Sequence, residues 1–419
     1  MEFHSKPDLN IESIELFHYF WISLILSIPI VLLSMGIFQS IPVLISSWLQ
    51  FIFATPVVIW CGLPILKRNW ISIAERRFNM FTLIAMAIMT AYCYGVIALL
   101  LPNVFPAILN INADSDFLFE IAAVMTSIIL LEQIFEDRIW RKIKSTPNFS
   151  MIESNPPHYN YFVIIVVSIA ILTIFFSPDI NDGIISAIAV LAIACPRAMT
   201  LAKPIAILSG IELSEKLGVQ MSNAACLEQL EKVKVIVIDK DSISEESTAL
   251  AIKKLHDENI RIVLVTSEEV STAKEDAKKY GIEIIETETS PQQKKEVAQR
   301  LIQQGFVVAM ITNTTNNNGI ILEFFSSSGN HESNIRFMKN DLMDVVRVLE
   351  LSIKVMRDIR QNKFIANLYN IICIPLAAGF FYFWTGEIFN PITAAVMMFF
   401  CIVCVSMNAL RLQKIKLLS

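Results

Sequence analysis

Glycine is scarce in this chain: 12 of 419 residues, about 3%, where proteins usually carry ~7%. Charge is scarce as well, at 17% of residues against a usual ~25%. Basic and acidic residues nearly balance, 34 against 39, for a net charge of −5. With no basic excess, a nucleic-acid partner is not expected. Apolar residues make up 54%, which excludes a disordered chain. Only seven cysteines are present, too few for a disulfide-dense scaffold of this length. Part of the chain must therefore sit outside water.

Crossing ~30 Å of hydrocarbon takes about 20 apolar residues. Eight runs qualify: 17–38, 43–66, 78–101, 117–136, 161–178, 183–205, 364–384 and 390–408. Lys67, Arg68, Arg76 and Arg77 follow the second run, and Arg138, Arg141, Lys142 and Lys144 the fourth. Arg411, Lys414 and Lys416 follow the eighth, whereas 39–42, 102–116, 179–182 and 385–389 hold no Lys or Arg. The positive-inside rule then predicts both termini and the long 206–363 segment on the cytoplasmic side. The expected location is the bacterial inner membrane or its equivalent, with the lipid bilayer as one partner. The first run reads as a retained anchor, since no small-residue cleavage site follows it.

Residues 206–363 change character. Val233–Ile238 is a continuous apolar run ending in Asp239, as in a buried parallel strand. Helix 248–259, strand 261–265, helix 271–280, strand 282–285, helix 292–304 and strand 307–311 follow in the pattern. This βαβ repetition predicts a doubly wound parallel sheet of Rossmann-like type, with functional loops at the strand C-termini. Asp239, Thr266 and Asn313 fall at or just beyond those ends.

The chain resembles the copper-transporting branch of the P-type ATPases. The resemblance is carried by Asn79–Ala85, Cys61–Pro64, Phe119–Glu136, Ala194–Pro196, Ala202–Ile207, Glu228–Lys240, Ile359–Gly379 and Asn390–Leu412. It implies eight transmembrane helices and a small haloacid-dehalogenase-like phosphorylation domain on the cytoplasmic side. The expected layout is a cytoplasmic N-terminus (1–16), four spans (17–140), a short linker (141–160) and two spans (161–209). A degenerate phosphorylation domain (210–345), a stalk (346–363), two spans (364–410) and a tail (411–419) complete it. The linker stands where the family carries its actuator domain, and 20 residues cannot form one. One helix between Ile243 and Ile260 replaces the family's nucleotide-binding insert.

The surviving domain is altered at its chemistry. The family's DKTGT reads Asp239-Lys240-Asp241-Ser242-Ile243, and its TGD reads Thr266-Ser267-Glu268. Its GDGxND reads Thr312-Asn313-Thr314-Thr315-Asn316-Asn317. Mg²⁺ favours octahedral oxygen ligands that include carboxylates, and both carboxylates of that last loop are now amides. Glycine lets backbone N–H groups approach phosphate, yet no glycine lies in 239–243, 266–269 or 312–318. Asp239, the nucleophile position, and Lys294, which would pair phosphate, remain as a vestigial phosphorylation site. Loss of Mg²⁺ and ATP binding is expected, leaving a pseudoenzyme that binds a partner protein, a soft metal, or both. Asp239 with Asp241 as acid/base also fits a haloacid-dehalogenase-type phosphatase. A copper-translocating ATPase with domains supplied in trans is the other alternative.

The resemblance also places a soft-metal constellation in the membrane. Its Cu(I) ligands map to Cys195, Tyr369, Asn370 and Met398, with Cys401 at the family's serine position. Met80, Glu120 and Glu136 map to ion-entrance and ion-release positions. Thiolates and thioethers select Cu(I), and Met398, Cys401 and Cys404 recur every third residue as a three-sulfur face. Arg197 stands where the family has its second cysteine. A guanidinium cannot deprotonate, so Arg197 reads as a disruptor of the site or a tethered counter-cation, paired with Glu120 or an Asn. Cys61, Cys93 and Cys373 read as packing residues.

Overall fold

The computed structural model describes residues 9–35, 41–74, 80–100, 111–145, 159–177, 179–194, 197–240, 245–267, 273, 277–278, 280–282, 284–287, 291–313, 320–325, 334–339, 341–380, 382 and 389–412. Two compact units emerge. One comprises Met1–Lys142, Ser154–Leu201 and Lys363–Ser406; the other Ile143–Glu153, Ala202–Asn362 and Met407–Ser419.

The first unit is helical. Its apolar runs form α1 (Leu9–Ser34), α2 (Val43–Thr55), α3 (Leu63–Ala74), α4 (Met80–Leu100), α5 (Ile111–Ser145), α6 (Tyr159–Phe176) and α7 (Ile180–Ile193). Parts of three further helices belong to it: α8 (Arg197–Lys216), α12 (Leu342–Ala377) and α13 (Pro391–Arg411). Among the described residues five stretches are long and apolar enough to cross a bilayer: Glu15–Ser34, Leu44–Cys61, Thr82–Leu100, Phe117–Ile139 and Pro391–Arg411. Tyr161–Phe176 and Ile180–Ile193 are apolar but shorter.

Two of the expected runs are broken. Pro56 lacks an N–H and its ring crowds the carbonyl four residues back, so α2 gives way to a π-helical turn over Pro56–Cys61. The Gly62 N–H closes that turn on the Val57 carbonyl at 2.9 Å. A Cβ at Gly62 would lie 2.1 Å from the Val58 carbonyl oxygen, so the close approach requires glycine. The break falls at Cys61–Pro64, one of the segments that carry the resemblance. The run 183–205, read as one helix, is two: α7 ends at Ile193 and α8 begins at Arg197. Pro196 disfavours helical backbone at the residue before it.

The second unit holds a seven-stranded sheet flanked by helices. Its strands are β1 (Val219–Met221), β2 (Val235–Asp239), β3 (Arg261–Val265), β4 (Ile284–Glu286), β5 (Val308–Asn313), β6 (Ile320–Phe325) and β7 (Asn334–Phe337). The order is β1-β7-β6-β5-β2-β3-β4. Helices α9 (Ala225–Lys232), α10 (Glu245–Asp257) and α11 (Pro291–Gln303) connect them. The expected segment 271–280 lies largely outside the described residues.

The strands β5, β2, β3 and β4 run parallel, as expected, but β6 and β7 return antiparallel and β1 pairs antiparallel with β7. The sheet is therefore mixed, not all parallel. Antiparallel neighbours need no crossover helix, so no helical signal announced β6 and β7, and β1 pairs with a strand remote from it in sequence. In β2, Val235 and Val237 pack with Val263, Val265, Val308 and Met310 against Val297 and Ala298 of α11. The alternate residues Ile236 and Ile238 are equally buried, which is why this strand reads as an unbroken apolar run.

Candidate functional site

Strand order reverses around β2, with β3 on one side and β5 on the other. Such a point, at the strand C-termini, is where open α/β sheets bind ligands. Asp239 is the last residue of β2, level with Val265 of β3. Ile238 pairs with Ile311, so Thr312 of β5 follows beside Asp239. Thr266 is buried and donates its N–H to the Glu286 carbonyl at 3.1 Å. Helix α11 starts at Pro291 and carries Lys294 in its first turns. One sheet edge thus gathers Asp239, Thr266 and Asn313. The side chains of Lys294 and Asn313, and all of Asp241, Glu268, Asn316 and Asn317, lie outside the described residues.

This edge does not fit Mg²⁺. Thr266 follows β3 and Thr312 lies on β5, the two strands on either side of Asp239, and the sequence from the end of β5 onward carries the amides Asn313, Asn316 and Asn317 where hard-cation sites place carboxylates.

The intramembrane residues sit on separate helices. Tyr369 and Asn370 lie on α12, and Met398 and Cys401 on α13. Met398, Cys401 and Asn370 are buried, and the Asn370 Oδ1 has no hydrogen-bond partner. Cys404 is exposed. Of the three sulfurs read as one face, only two are buried: six residues fall about 120° short of two whole α-helical turns, which carries Cys404 off the buried side. Among the described residues no three His, Cys, Asp or Glu converge to hold a metal. Cys195 and the side chains of Arg197 and Met80 lie outside the described residues.

On α5, Glu120 is half-buried and accepts a hydrogen bond from the Ser34 hydroxyl of α1. Glu132 is 1% exposed, while Glu136 is partly exposed. Sequence reasoning missed one polar cluster in the second unit. Asn362 donates to Asp358 Oδ2 at 2.9 Å, and Asn408 donates at 2.9 Å both to Asp358 Oδ1 and to Asn362 Oδ1. Its available signal was Asp and Asn four apart on a long helix.

No protein-family model matches the chain. A silver exporting P-type ATPase of Salmonella typhimurium is 24% identical over 656 aligned positions, covering 95% of this chain and 80% of the relative. A copper-exporting P-type ATPase of Legionella pneumophila is 24% identical over 660 positions, covering 97% and 90%. Against 419 residues, those alignments leave at least 237 and 241 positions with no counterpart here. The crystal structure of a zinc-transporting PIB-type ATPase in an E2.Pi state superposes with a TM-score of 0.58 at 14% identity, covering 97% of this chain and all of that one. That likeness bears on fold alone. Along nearly its whole length the chain is thus similar to silver- and copper-exporting P-type ATPases.

Proposed function

We propose that this copper-transporter-like membrane protein is a pseudo-ATPase that no longer hydrolyses ATP and acts by binding. Its ligands are a partner protein, a soft metal ion such as Cu(I), or both. In this reading the chain crosses the membrane eight times, with both termini and a haloacid-dehalogenase-like domain in the cytoplasm. The observation that carries it is the set of loops at the C-terminal sheet edge, where Asp239 keeps its place while the Mg²⁺ carboxylates and the phosphate-cradling glycines are absent. Phosphoryl transfer depends almost entirely on positioning and charge neutralisation, so one retained aspartate does not sustain it. The uncovered stretches in the copper and silver exporters' alignments support the loss of two cytoplasmic domains.

A second reading, a copper transporter completed by domains supplied in trans, draws support from the near-complete coverage of this chain by those same exporters. One experiment separates the two. Purified protein incubated with labelled ATP and Mg²⁺ is expected to give no acid-stable phosphoprotein. A phosphorylated band that disappears in Asp239→Asn, with or without a membrane extract, would overturn the pseudoenzyme. Aryl-phosphate hydrolysis dependent on Asp241 would point instead to a phosphatase.

A further inference from the structure

Within the first unit a cavity of about 310 Å³ opens between α1 and α3, lined by Glu15, Leu16, Tyr19, Leu63, Pro64, Lys67, Arg68 and Ile71. It has two chemical halves. Lys67, Arg68, the Tyr19 phenol and Glu15 supply polar groups, and the rest is hydrocarbon. Neither Lys67 nor Glu15 forms an ion pair with another described residue, so the two line the same cavity without neutralising each other. The Tyr19 ring is held edge-on by Trp60 of the π-helical turn, with centroids 6.2 Å apart.

The surroundings say what kind of ligand suits it. Trp70 of α3 is 74% exposed, and Trp60, Leu63 and Ile71 are exposed beside it. Tryptophan and lysine on an amphipathic helix that follows a membrane span mark the level of lipid headgroups. Arginine and lysine are the side chains that recognise phosphate. Lys67 and Arg68 bring two cationic side chains to the one cavity; Arg68 holds a further interaction of its own, and Lys67 is the charge left for a phosphodiester. Glu15 can accept a hydrogen bond from a headgroup hydroxyl.

We propose that this cavity is a binding site for the headgroup of an anionic, hydroxyl-bearing glycerophospholipid, with Lys67 and Arg68 on the phosphate and Glu15 on a hydroxyl. An acidic protein would meet the same two cations, but the flanking exposed tryptophans and leucine fit acyl chains rather than a water-soluble surface. The site is independent of whether ATP is hydrolysed or metal is bound.

The test is native mass spectrometry of the purified full-length chain in detergent, offered phosphatidylglycerol, phosphatidylethanolamine and phosphatidylcholine of identical acyl chains. Phosphatidylglycerol should be retained in preference to both. One cation contributes enough near an anionic headgroup for Lys67→Gln to cut that preference about fivefold. Lys67→Glu should abolish it, with unfolding midpoints unchanged in both variants. Equal retention of the three lipids, or an undiminished preference in Lys67→Glu, would sink the proposal. Displacement of the lipid by inorganic phosphate would reassign the site to a free anion, and displacement by polyglutamate would reassign it to an acidic protein. Either result overturns it.

Discussion

Asn408, near the end of α13, donates to the carboxylate of Asp358 on α12 at 2.9 Å, and Asn362 holds the other oxygen. Asp358 is 7% exposed. Burial pushes its carboxyl from the ordinary 3.8 up to about 6, opposed by the Asn362 hydrogen bond and the Arg411 charge. Asp358 lies outside the apolar run of its helix. The cluster ties the middle of α12 to the C-terminal end of α13.

A pH dependence follows. In the window from about 3.8 to about 6 the folded protein holds a proton at Asp358 that the unfolded chain has released. This group therefore favours the folded state at the acid end, and that advantage is lost as pH rises through the window, by about 3 kcal/mol at most. Unfolding midpoints of wild type and Asp358→Asn, measured in detergent across pH 4 to 7, should converge or separate through this interval and run parallel above it. A constant offset at every pH would refute the assignment.

The two glycines at close approaches should respond differently. At Gly62 an added Cβ meets backbone, the Val58 carbonyl oxygen at 2.1 Å, which cannot move without undoing the π-helical turn. At Gly210 it meets the side-chain ends Leu227 Cδ1 and Val355 Cγ2, each at 2.9 Å, and these can rotate aside. Overpacking usually costs 1–3 kcal/mol, so Gly62→Ala should reach about 3 kcal/mol and Gly210→Ala about 1. Chemical-denaturation midpoints would show the ranking, and a reversed order would contradict it.

Burial separates the sulfurs. If the chain binds Cu(I), Met398→Leu and Cys401→Ser should strip bound metal, because both side chains face the interior. Cys404→Ser should leave metal content unchanged, since that thiol is exposed. Metal analysis after anaerobic Cu(I) loading decides the matter. Equal content in all three variants eliminates the buried pair as ligands.

Cys226 offers a reporter for the second unit. It is buried in the first turn of α9, its thiol donates to the Asn223 Oδ1 at 3.4 Å, and it lies 3.6 Å from both the Ser222 hydroxyl and the Asn334 carbonyl. Burial raises its pKa above the ordinary 9.0, which keeps the thiolate fraction low. Alkylation at Cys226 should be at least tenfold slower than at a free thiol in native protein and should recover on unfolding. Mass mapping after brief exposure to iodoacetamide would reveal it. Fast native labelling would argue against the buried thiol.

Much of this protein was legible in its residues. Val235 to Asp239 announced a central strand because both faces of it are covered, leaving no polar alternation to blur the signal. Local chemistry likewise placed Asp239, Thr266 and Asn313 at one sheet edge, since each ends a strand or follows one. Sequence also put amides and threonines where the resembled family keeps carboxylates and glycines. What the residues could not tell was any relationship made by packing alone. The antiparallel return of β6 and β7 carries no helical period, and β1 pairs with β7, a strand remote from it in sequence. The outward turn of Cys404 depends on which side of α13 is buried. The Asn408–Asp358 contact joins residues 50 apart, and only the tertiary structure decided it, because hydrogen bonds between distant helices leave no periodic trace in either one.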